Sequence, residues 1–325
     1  MNSINKLRIG TFANIAIVSL ACSWSAFDQV KTRKVPHDKP WGIYSLDLET
    51  QDVELHYSSP NEITNFSLSP DQKRIAFSMK DAGGGDQSSE IYILDISDHT
   101  LQRLTNNDFM DTYPIWSPDG DRLAYLALPD TTLDIYTINL ENKQLQKLYD
   151  SGFHDADISW QGDTIAFTRN SQIWLLNADG RNLSQLTDPP QAGQWGSANL
   201  PFGDYDPRIS PDGTTVVFER LLGDRSPHGN YDLFIINIDG TNLTRLTKTG
   251  YAQGLASWSP SGEQIAYIIA AIEDEGQFDI YLMNADGSNN RNITPEFFPT
   301  ECLVHAVNFE NTDTKLFFLA EWYQP

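Results

Sequence analysis

Six times along the 325-residue chain one short phrase returns: GIYSLDL (Gly42 to Leu48), EIYILDI (Glu90 to Ile96), DIYTINL (Asp134 to Leu140), QIWLLNA (Gln172 to Ala178), DLFIINI (Asp232 to Ile238) and DIYLMNA (Asp279 to Ala285). Self-similarity at a period of about 40 to 60 residues, carried by short alternating strands, marks a ring of blades, because each repeat can bury its apolar faces only against its neighbours. The count predicts an all-β chain: a six-bladed β-propeller of four-stranded antiparallel blades.

The rest of each repeat agrees. After the phrase comes a tight turn, with Asp-Gly at Asp179-Gly180, Asp239-Gly240 and Asp286-Gly287, and then a strand ending in Leu-Thr or Ile-Thr at Thr105, Thr187, Thr247 and Thr294. Asp-Gly supplies the positive φ that a short hairpin needs. An apolar strand follows and closes on Ser-Pro-Asp-Gly or a relative, as in SLSPDQ from Ser67, IWSPDG from Ile115, RISPDG from Arg208 and SWSPSG from Ser257. Proline presets φ for the first central turn position and glycine accepts the positive φ after it. A fourth strand comes last in each copy, from RIAFSM at Arg74 to KLFFLA at Lys315. We letter the strands A (before the SPDG turn), B (after it), C (the recurring phrase) and D (ending in Leu-Thr).

The chain opens on C and D, about residues 41–57, and finishes on A and B, about residues 304–320. Pairing the two ends completes the sixth blade and removes the exposed edges an open ring would leave. A two-plus-two clasp of N- and C-terminal strands is therefore expected, with residues 1–22 as a signal peptide, 23–40 as a linker and 41–325 as the propeller.

The series D-I-Y-x-x-N-x-D-G-[ST]-N-x-x-x-[LI]-T, followed by D-x-x-P-x-W-S-P-D-G-x-x-[IL]-A-[FY], resembles the WD-type repeat of the TolB family, the periplasmic component of the Tol-Pal envelope system. Its best copies are Asp134 to Asn139 and Asp111 to Tyr125, and the resemblance covers nearly the whole chain after residue 40. TolB carries a separate mixed α/β domain ahead of its propeller, for which the residues before Trp41 are too few. The resemblance thus implies a stand-alone TolB-like propeller in the periplasm, acting as a binding or scaffold module for an envelope protein or peptide. The TolA contact that TolB makes through its N-terminal segment is not carried over.

Charge narrows the partner. Twenty-two Lys and Arg stand against 44 Asp and Glu, a formal net charge of −22. Such a surface repels nucleic acid and anionic lipid, since phosphate binding needs clustered cations. It suits a partner of basic character, and the high charge also serves solubility in a monomer. At the N-terminus Lys6 and Arg8 precede an apolar run from Ile9 to Ala21, too short for an ordinary membrane span but fitting a secretory signal. The stretch Ser19-Leu20-Ala21-Cys22-Ser23 resembles a lipoprotein processing box, with Ser19 where leucine is usual. Lipidation of Cys22, with anchoring to the outer membrane, and ordinary cleavage near Ser23 or Ala26 both fit. After either, Cys302 remains without a partner, so no disulfide framework is expected.

In this topology the D-to-A and B-to-C connections emerge on one side, around the mouth of the central channel. The D-to-A connections bring Asp111, His154, Asp155, Asp204, Asp206, Gln253 and His305, together with Trp195 in the long loop from Asp188 to Asp206. The B-to-C connections bring Asp81, Asp86, Asp130, Asp224, His228, Glu273, Asp274 and Glu275. An acidic binding face is expected there. Asp111 and Asp204 open a D-x-x-P sequence, where a carboxylate also caps the amides of its own turn. The tryptophans Trp116, Trp160 and Trp258 recur at the repeat period and read as blade-to-blade packing.

No cofactor is predicted. A divalent metal at the mouth, held by His154 and His305 among the carboxylates, is the one ion these residue types allow, although nothing in their spacing demands it. There is no G-x-S-x-G elbow and no run of calcium-loop aspartates. The enzyme alternative to a binding module is a metal-assisted polysaccharide lyase of the oligogalacturonate lyase type, which has related repeats and works at the same mouth.

Overall fold

The aromatic residue in the recurring phrase pairs with an aromatic residue of strand B across the blade, and this pair organises each blade's interior. Tyr44 stacks on Phe318 at 5.3 Å, Tyr92 on Phe77 at 5.8 Å, Tyr136 on Tyr125 at 6.0 Å and Phe234 on Phe218 at 6.0 Å between ring centroids. Directly opposed aromatic pairs are among the stronger cross-strand contacts, and the strand-B members Phe77, Tyr125, Phe167, Phe218, Tyr267 and Phe318 are all buried.

The computed structural model describes residues 40–84, 88–149, 152–194, 201–223, 230–249, 251–270, 278–295, 302–309 and 311–322. Among these there is no helix, and 24 strands form six four-stranded antiparallel sheets. The chain enters on β1 (Trp41–Asp47) and β2 (Val53–Ser59). Blade 1 is β3 (Ile63–Leu68), β4 (Arg74–Lys80), β5 (Ser89–Asp95) and β6 (Leu101–Arg103). Blade 2 is β7 (Met110–Trp116), β8 (Arg122–Leu128), β9 (Asp134–Asn139) and β10 (Leu145–Tyr149). Blade 3 is β11 (Asp155–Gln161), β12 (Thr164–Arg169), β13 (Gln172–Asn177) and β14 (Ser184–Gln185). Blade 4 is β15 (Gly203–Ile209), β16 (Thr215–Leu221), β17 (Tyr231–Asn237) and β18 (Thr244–Arg245). Blade 5 is β19 (Ala252–Trp258), β20 (Gln264–Ala270), β21 (Phe278–Asn284) and β22 (Arg291–Asn292). The chain ends on β23 (Cys302–Phe309) and β24 (Lys315–Trp322).

The sixth sheet has the order β2-β1-β24-β23. Trp41 to Asp47 of β1 pair with Glu321 back to Lys315 of β24, so the expected clasp is present and joins the two ends of the ring.

The repeat motifs have local physical reasons. In the SPDG turns the serine hydroxyl donates to the aspartate two residues on and accepts the amide five residues on: Ser69 to Asp71 at 2.6 Å and from Arg74 at 3.0 Å, Ser210 to Asp212 at 2.6 Å and from Thr215 at 3.0 Å. Gly120 (φ 74°) takes the left-handed place in blade 2 that Gln72 (φ 59°) fills in blade 1. The Leu-Thr threonine ties strand D to strand C. Thr105 accepts the N–H of Ile91 at 2.9 Å and donates to Glu90 at 2.6 Å, and Thr294 does the same with Ile280 at 2.8 Å and Asp279 at 3.1 Å. Two of the repeat tryptophans bridge blades as expected: Trp116 donates to the Ser67 carbonyl at 3.2 Å and Trp258 to that of Arg208 at 3.0 Å. Trp160 donates instead to Gly162 of its own turn, while Arg122 of the preceding blade lies over its ring.

Candidate functional site

The inner strands β3, β7, β11, β15, β19 and β23 stand side by side around the axis. Each begins at the mouth, where one of its first two residues stands opposite the end of strand B. In blades 3 and 4 this register puts an aspartate against an arginine: Asp155 against Arg169 and Asp204 against Arg220. Both pairs are bidentate, at 2.7 and 2.9 Å for Arg169 and at 2.5 and 2.8 Å for Arg220, and both aspartates are fully buried. Burial raises the Asp204 carboxyl and Arg220 opposes that rise. These carboxylates lie beneath the mouth, gripped by side chains rather than capping their own turns.

Asp111 holds the equivalent place in blade 2, but Ala127 stands opposite it. Its Oδ2 accepts from Asn107 at 2.7 Å, its Oδ1 has no hydrogen-bond partner, and burial pushes the carboxyl up to about 6. Gln253 takes the place in blade 5 and bonds Thr249. His154 is half-buried and its Nδ1 accepts the N–H of Leu133 at 3.1 Å, so that nitrogen is engaged; burial holds its imidazole below the usual value. His305 lies 3.3 Å from Glu321 Oε2 with its ring 4.8 Å from that of Trp41. Asp81 pairs with Arg103 at 3.1 Å, and Asp130 is exposed and accepts the amide of Thr132 at 3.0 Å. Trp195, Cys22, Asp86, Asp224, His228, Glu273, Asp274 and Glu275 lie outside the described residues.

Two residues deeper, the inner strands do something the sequence reading missed. In β7, β11, β15 and β19 the ladder slips at Thr112/Ile115, Ala156/Ser159, Tyr205/Arg208 and Gly254/Ser257. The bulged residues Tyr113, Asp157, Asp206 and Leu255 have φ of 54°, 52°, 51° and 55°. A bulge re-aims a side chain, and non-glycine residues hold positive φ only where their surroundings over-determine it. Pro114 and Pro207 follow two of them, where the slipped ladder asks for no N–H.

The result is a polar cluster on the axis. Asp206 Oδ1 pairs with Arg208 at 2.7 Å and its amide lies 3.4 Å from Asp157 Oδ2. Glu219, from β16, crosses to the next blade and accepts the N–H of Leu255 at 2.6 Å. It occupies the space beside Gly254, where any Cβ would collide with its carboxylate. Asp206 is 5% exposed, and its Oδ2 has no hydrogen-bond partner. Water reaches Asp157 and Glu219, yet protein surrounds them. Burial first, then the Asp206 charge, pushes the Asp157 carboxyl up to about 6 and Glu219 well above the usual carboxylate range. Tyr113, Arg208, Leu255 and His305 line one continuous channel cavity with Trp41 and Glu62. Among the described residues no three His, Cys, Asp or Glu side chains are arranged to hold a metal ion.

A ring of six four-stranded blades, closed by one clasp of the chain ends, defines a six-bladed β-propeller, and comparison gives its family. Residues 19–218 match the TolB beta propeller domain, and the chain belongs to that family. It is 30% identical over 213 residues to an uncharacterized protein of Agrobacterium fabrum, covering 62% of this chain and 68% of that one. It is 28% identical over 216 residues to the Tol-Pal system protein TolB of Francisella tularensis, covering 64% of this chain but only 46% of TolB. Among solved structures, a putative TolB from Agrobacterium tumefaciens superposes with a TM-score of 0.67 at 16% identity, over 88% of this chain and 99% of that one. An oligogalacturonate lyase in complex with manganese superposes with a TM-score of 0.54 at 17% identity, over 85% and 76%, a likeness of fold alone.

Proposed function

We propose that this TolB-like propeller is an exported binding or scaffold module of the periplasm, monomeric, that receives a protein or peptide partner of basic character at its channel-mouth face. The observation that carries the reading is the set of carboxyl groups that no arginine clasps on both oxygens, Asp111 at the start of β7 and Asp157, Asp206 and Glu219 on the axis, in a chain of net charge −22. A negative mouth focuses field lines, raises the encounter rate of cationic partners and loses that advantage in salt. The Francisella relative is named as a Tol-Pal system protein, which supports an envelope setting. The propeller at residues 41–325 would then follow a leader at 1–22 and a linker at 23–40, with Cys22 as candidate lipid anchor. His154, Asp155, Asp204, Gln253 and His305 would support the face, and Trp195 is kept as a candidate contact from the sequence alone.

The test uses the immobilised full chain with a capped tetralysine peptide and a tetraglutamate control. Tetralysine should bind at low ionic strength, with an association rate that falls steeply as salt rises, and tetraglutamate should not bind. Absence of tetralysine binding at low salt would overturn the reading. The lyase alternative is the weaker one, since the Nδ1 of His154 is engaged by a backbone amide and the described carboxylates form no metal-ligating set. Incubation with polygalacturonate and manganese decides it: unsaturated product that disappears in both His154→Ala and His305→Ala would replace the binding module with an enzyme.

A further inference from the structure

Phe66 anchors two asparagines on the wall of the channel cavity. Asn65 Oδ1 accepts the Phe66 N–H at 2.6 Å and Asn308 Nδ2 donates to the Phe66 carbonyl at 3.1 Å, so one residue fixes the orientation of both side-chain amides, from the adjacent strands β3 and β23. Each uses half of its amide there. The NH2 of Asn65 and the side-chain carbonyl of Asn308 have no hydrogen-bond partner among the described residues, and both side chains are part-exposed and line the cavity. Ser67 lines it too, 8% exposed, and its hydroxyl has no partner either. It stands at the level of Asn308, since they face Ala76 and Phe317, each the third residue of its strand B. A buried hydroxyl without a hydrogen bond calls for an explanation. A fixed donor, a fixed acceptor and an unmet hydroxyl on one cavity wall are what a ligand site presents.

The lining decides the charge of what enters. Arg208 is on the cavity wall, paired with Asp206, and a cation would meet its guanidinium. An anion would enter against a net charge of −22 and find that cation already matched by a carboxylate. An uncharged group avoids both costs. Ile63, Phe66, Ile115 and Val307 give the same wall an apolar surface. A primary carboxamide offers an acceptor and two donors in one plane, the complement of the groups left open on Asn65, Asn308 and Ser67. We propose that the channel seats the carboxamide of one glutamine side chain of the partner, its oxygen accepting from Asn65 and its nitrogen donating to Asn308 Oδ1 and Ser67 Oγ. Asn65 lies two residues inside Ile63 at the head of β3, roughly 7 Å at the rise of an extended strand, which suits glutamine over the shorter asparagine. The proposal rests on the mouth-binding reading and adds the neutral residue that sets a basic partner in place.

The test titrates the full chain with capped fluorescent pentapeptides, Lys-Gly-X-Gly-Lys, with X as glutamine, leucine or glutamate. Leucine has nearly the size of glutamine and none of its hydrogen bonds. The glutamine peptide should bind about tenfold more tightly than the leucine peptide, the scale of leaving several site groups unmet, and the glutamate peptide should bind no better than leucine. Asn65→Asp keeps an oxygen for the Phe66 N–H but replaces the free donor with an acceptor. In that variant the advantage of glutamine over leucine should vanish while the leucine peptide binds as before, and Ser67→Ala should narrow the same ratio. A ratio of affinities is read within one folded protein, so loss of stability does not imitate the result. Equal affinity of the two peptides for the wild type, or an unchanged ratio in Asn65→Asp, would overturn the proposal. If binding in that case still fell steeply with added salt, the mouth reading would stand and the partner would stay outside the channel. If no peptide bound the wild type at low salt, both would fall.

Discussion

Arg169 closes on both carboxylate oxygens of Asp155, at 2.7 and 2.9 Å, with neither side chain more than 5% exposed. Arg169 also lies over the rings of Phe167 and Tyr149, at 4.9 and 5.0 Å. Removing one partner of a buried pair strands the other charge, which typically costs about 3 to 5 kcal/mol. Arg169→Met keeps most of the stem and should lower stability by about that amount in denaturant titration. Adding Asp155→Asn should recover part of it. Equal loss in single and double variants would show that the packing of the stem, not the charge pair, is what matters.

Asp111 tests the converse. The same position without an arginine leaves a buried carboxyl raised to about 6 from an ordinary 3.8. A raised carboxyl binds its proton more tightly folded than unfolded. Its contribution is therefore intact below pH 4 and is lost as pH rises through 6. Asp111→Asn should stabilise the protein at pH 7 by about 2 kcal/mol, and the gain should vanish at pH 4. Comparison of urea midpoints for the two proteins at both pH values checks it; a destabilised variant at pH 7 would show that Asp111 is ionised at little cost.

His56 has the opposite sign. It sits in the clasp blade, its Nε2 2.8 Å from Ser45 Oγ and its ring 4.8 Å from that of Phe317, and burial pushes it down from 6.5 to about 4. The unfolded chain takes up the proton first as pH falls. Stability is whole above about pH 6.5 and should decline by about 3 kcal/mol by pH 4 from this group alone. His56→Phe should flatten that decline, measured as the difference from wild type so that Asp111 and the other carboxylates cancel. An identical pH dependence in both proteins would rule His56 out.

How much of this was legible follows from which interactions are periodic. The aromatic of the recurring phrase, the Leu-Thr threonine and the SPDG serine each act within one repeat, so the chain spells them out at fixed spacing. The clasp was readable too, since the chain begins on C and ends on B. The Asp155–Arg169 and Asp204–Arg220 pairs were readable in principle: an aspartate at the head of strand A and an arginine 14 or 16 residues on, at the tail of strand B, face each other in any A–B hairpin. The axial cluster was not. Asp157 and Asp206 alternate with Asp155 and Asp204 and would share their face in a regular strand; a one-residue slip of the ladder, set by pairing in three dimensions, turns them to the axis. Glu219 reaches the cluster only through the gap at Gly254 of another blade, a relationship that no local pattern carries.

Export and anchoring are tested at Cys22. If the leader is processed at that residue, acyl chains hold the protein to the membrane, and Cys22→Ser should move it from the membrane fraction to the soluble periplasm. Wild-type protein found wholly in the soluble fraction would show that cleavage is of the ordinary kind.

Closure gives the sharpest prediction for the fold. Deleting residues 302–325 removes β24, the partner of β1, together with β23, and leaves β1 and β2 as an isolated hairpin. Val304, Val307, Phe309, Leu316 and Phe318 would go from a buried cluster that also contains Tyr44, Ala266 and Leu282. At about 1.5 to 3 kcal/mol for each buried side chain, that loss rivals the 5 to 15 kcal/mol that holds a typical domain folded. The edge of β1 that pairs with β24 would open as well. The truncated chain should therefore show no cooperative thermal transition by circular dichroism and should aggregate on expression. If it melted cooperatively near the temperature of the full chain, the remaining five blades would be stable without the ring, and the strand pairing from Trp41 to Asp47 would be an accessory to the fold rather than its lock.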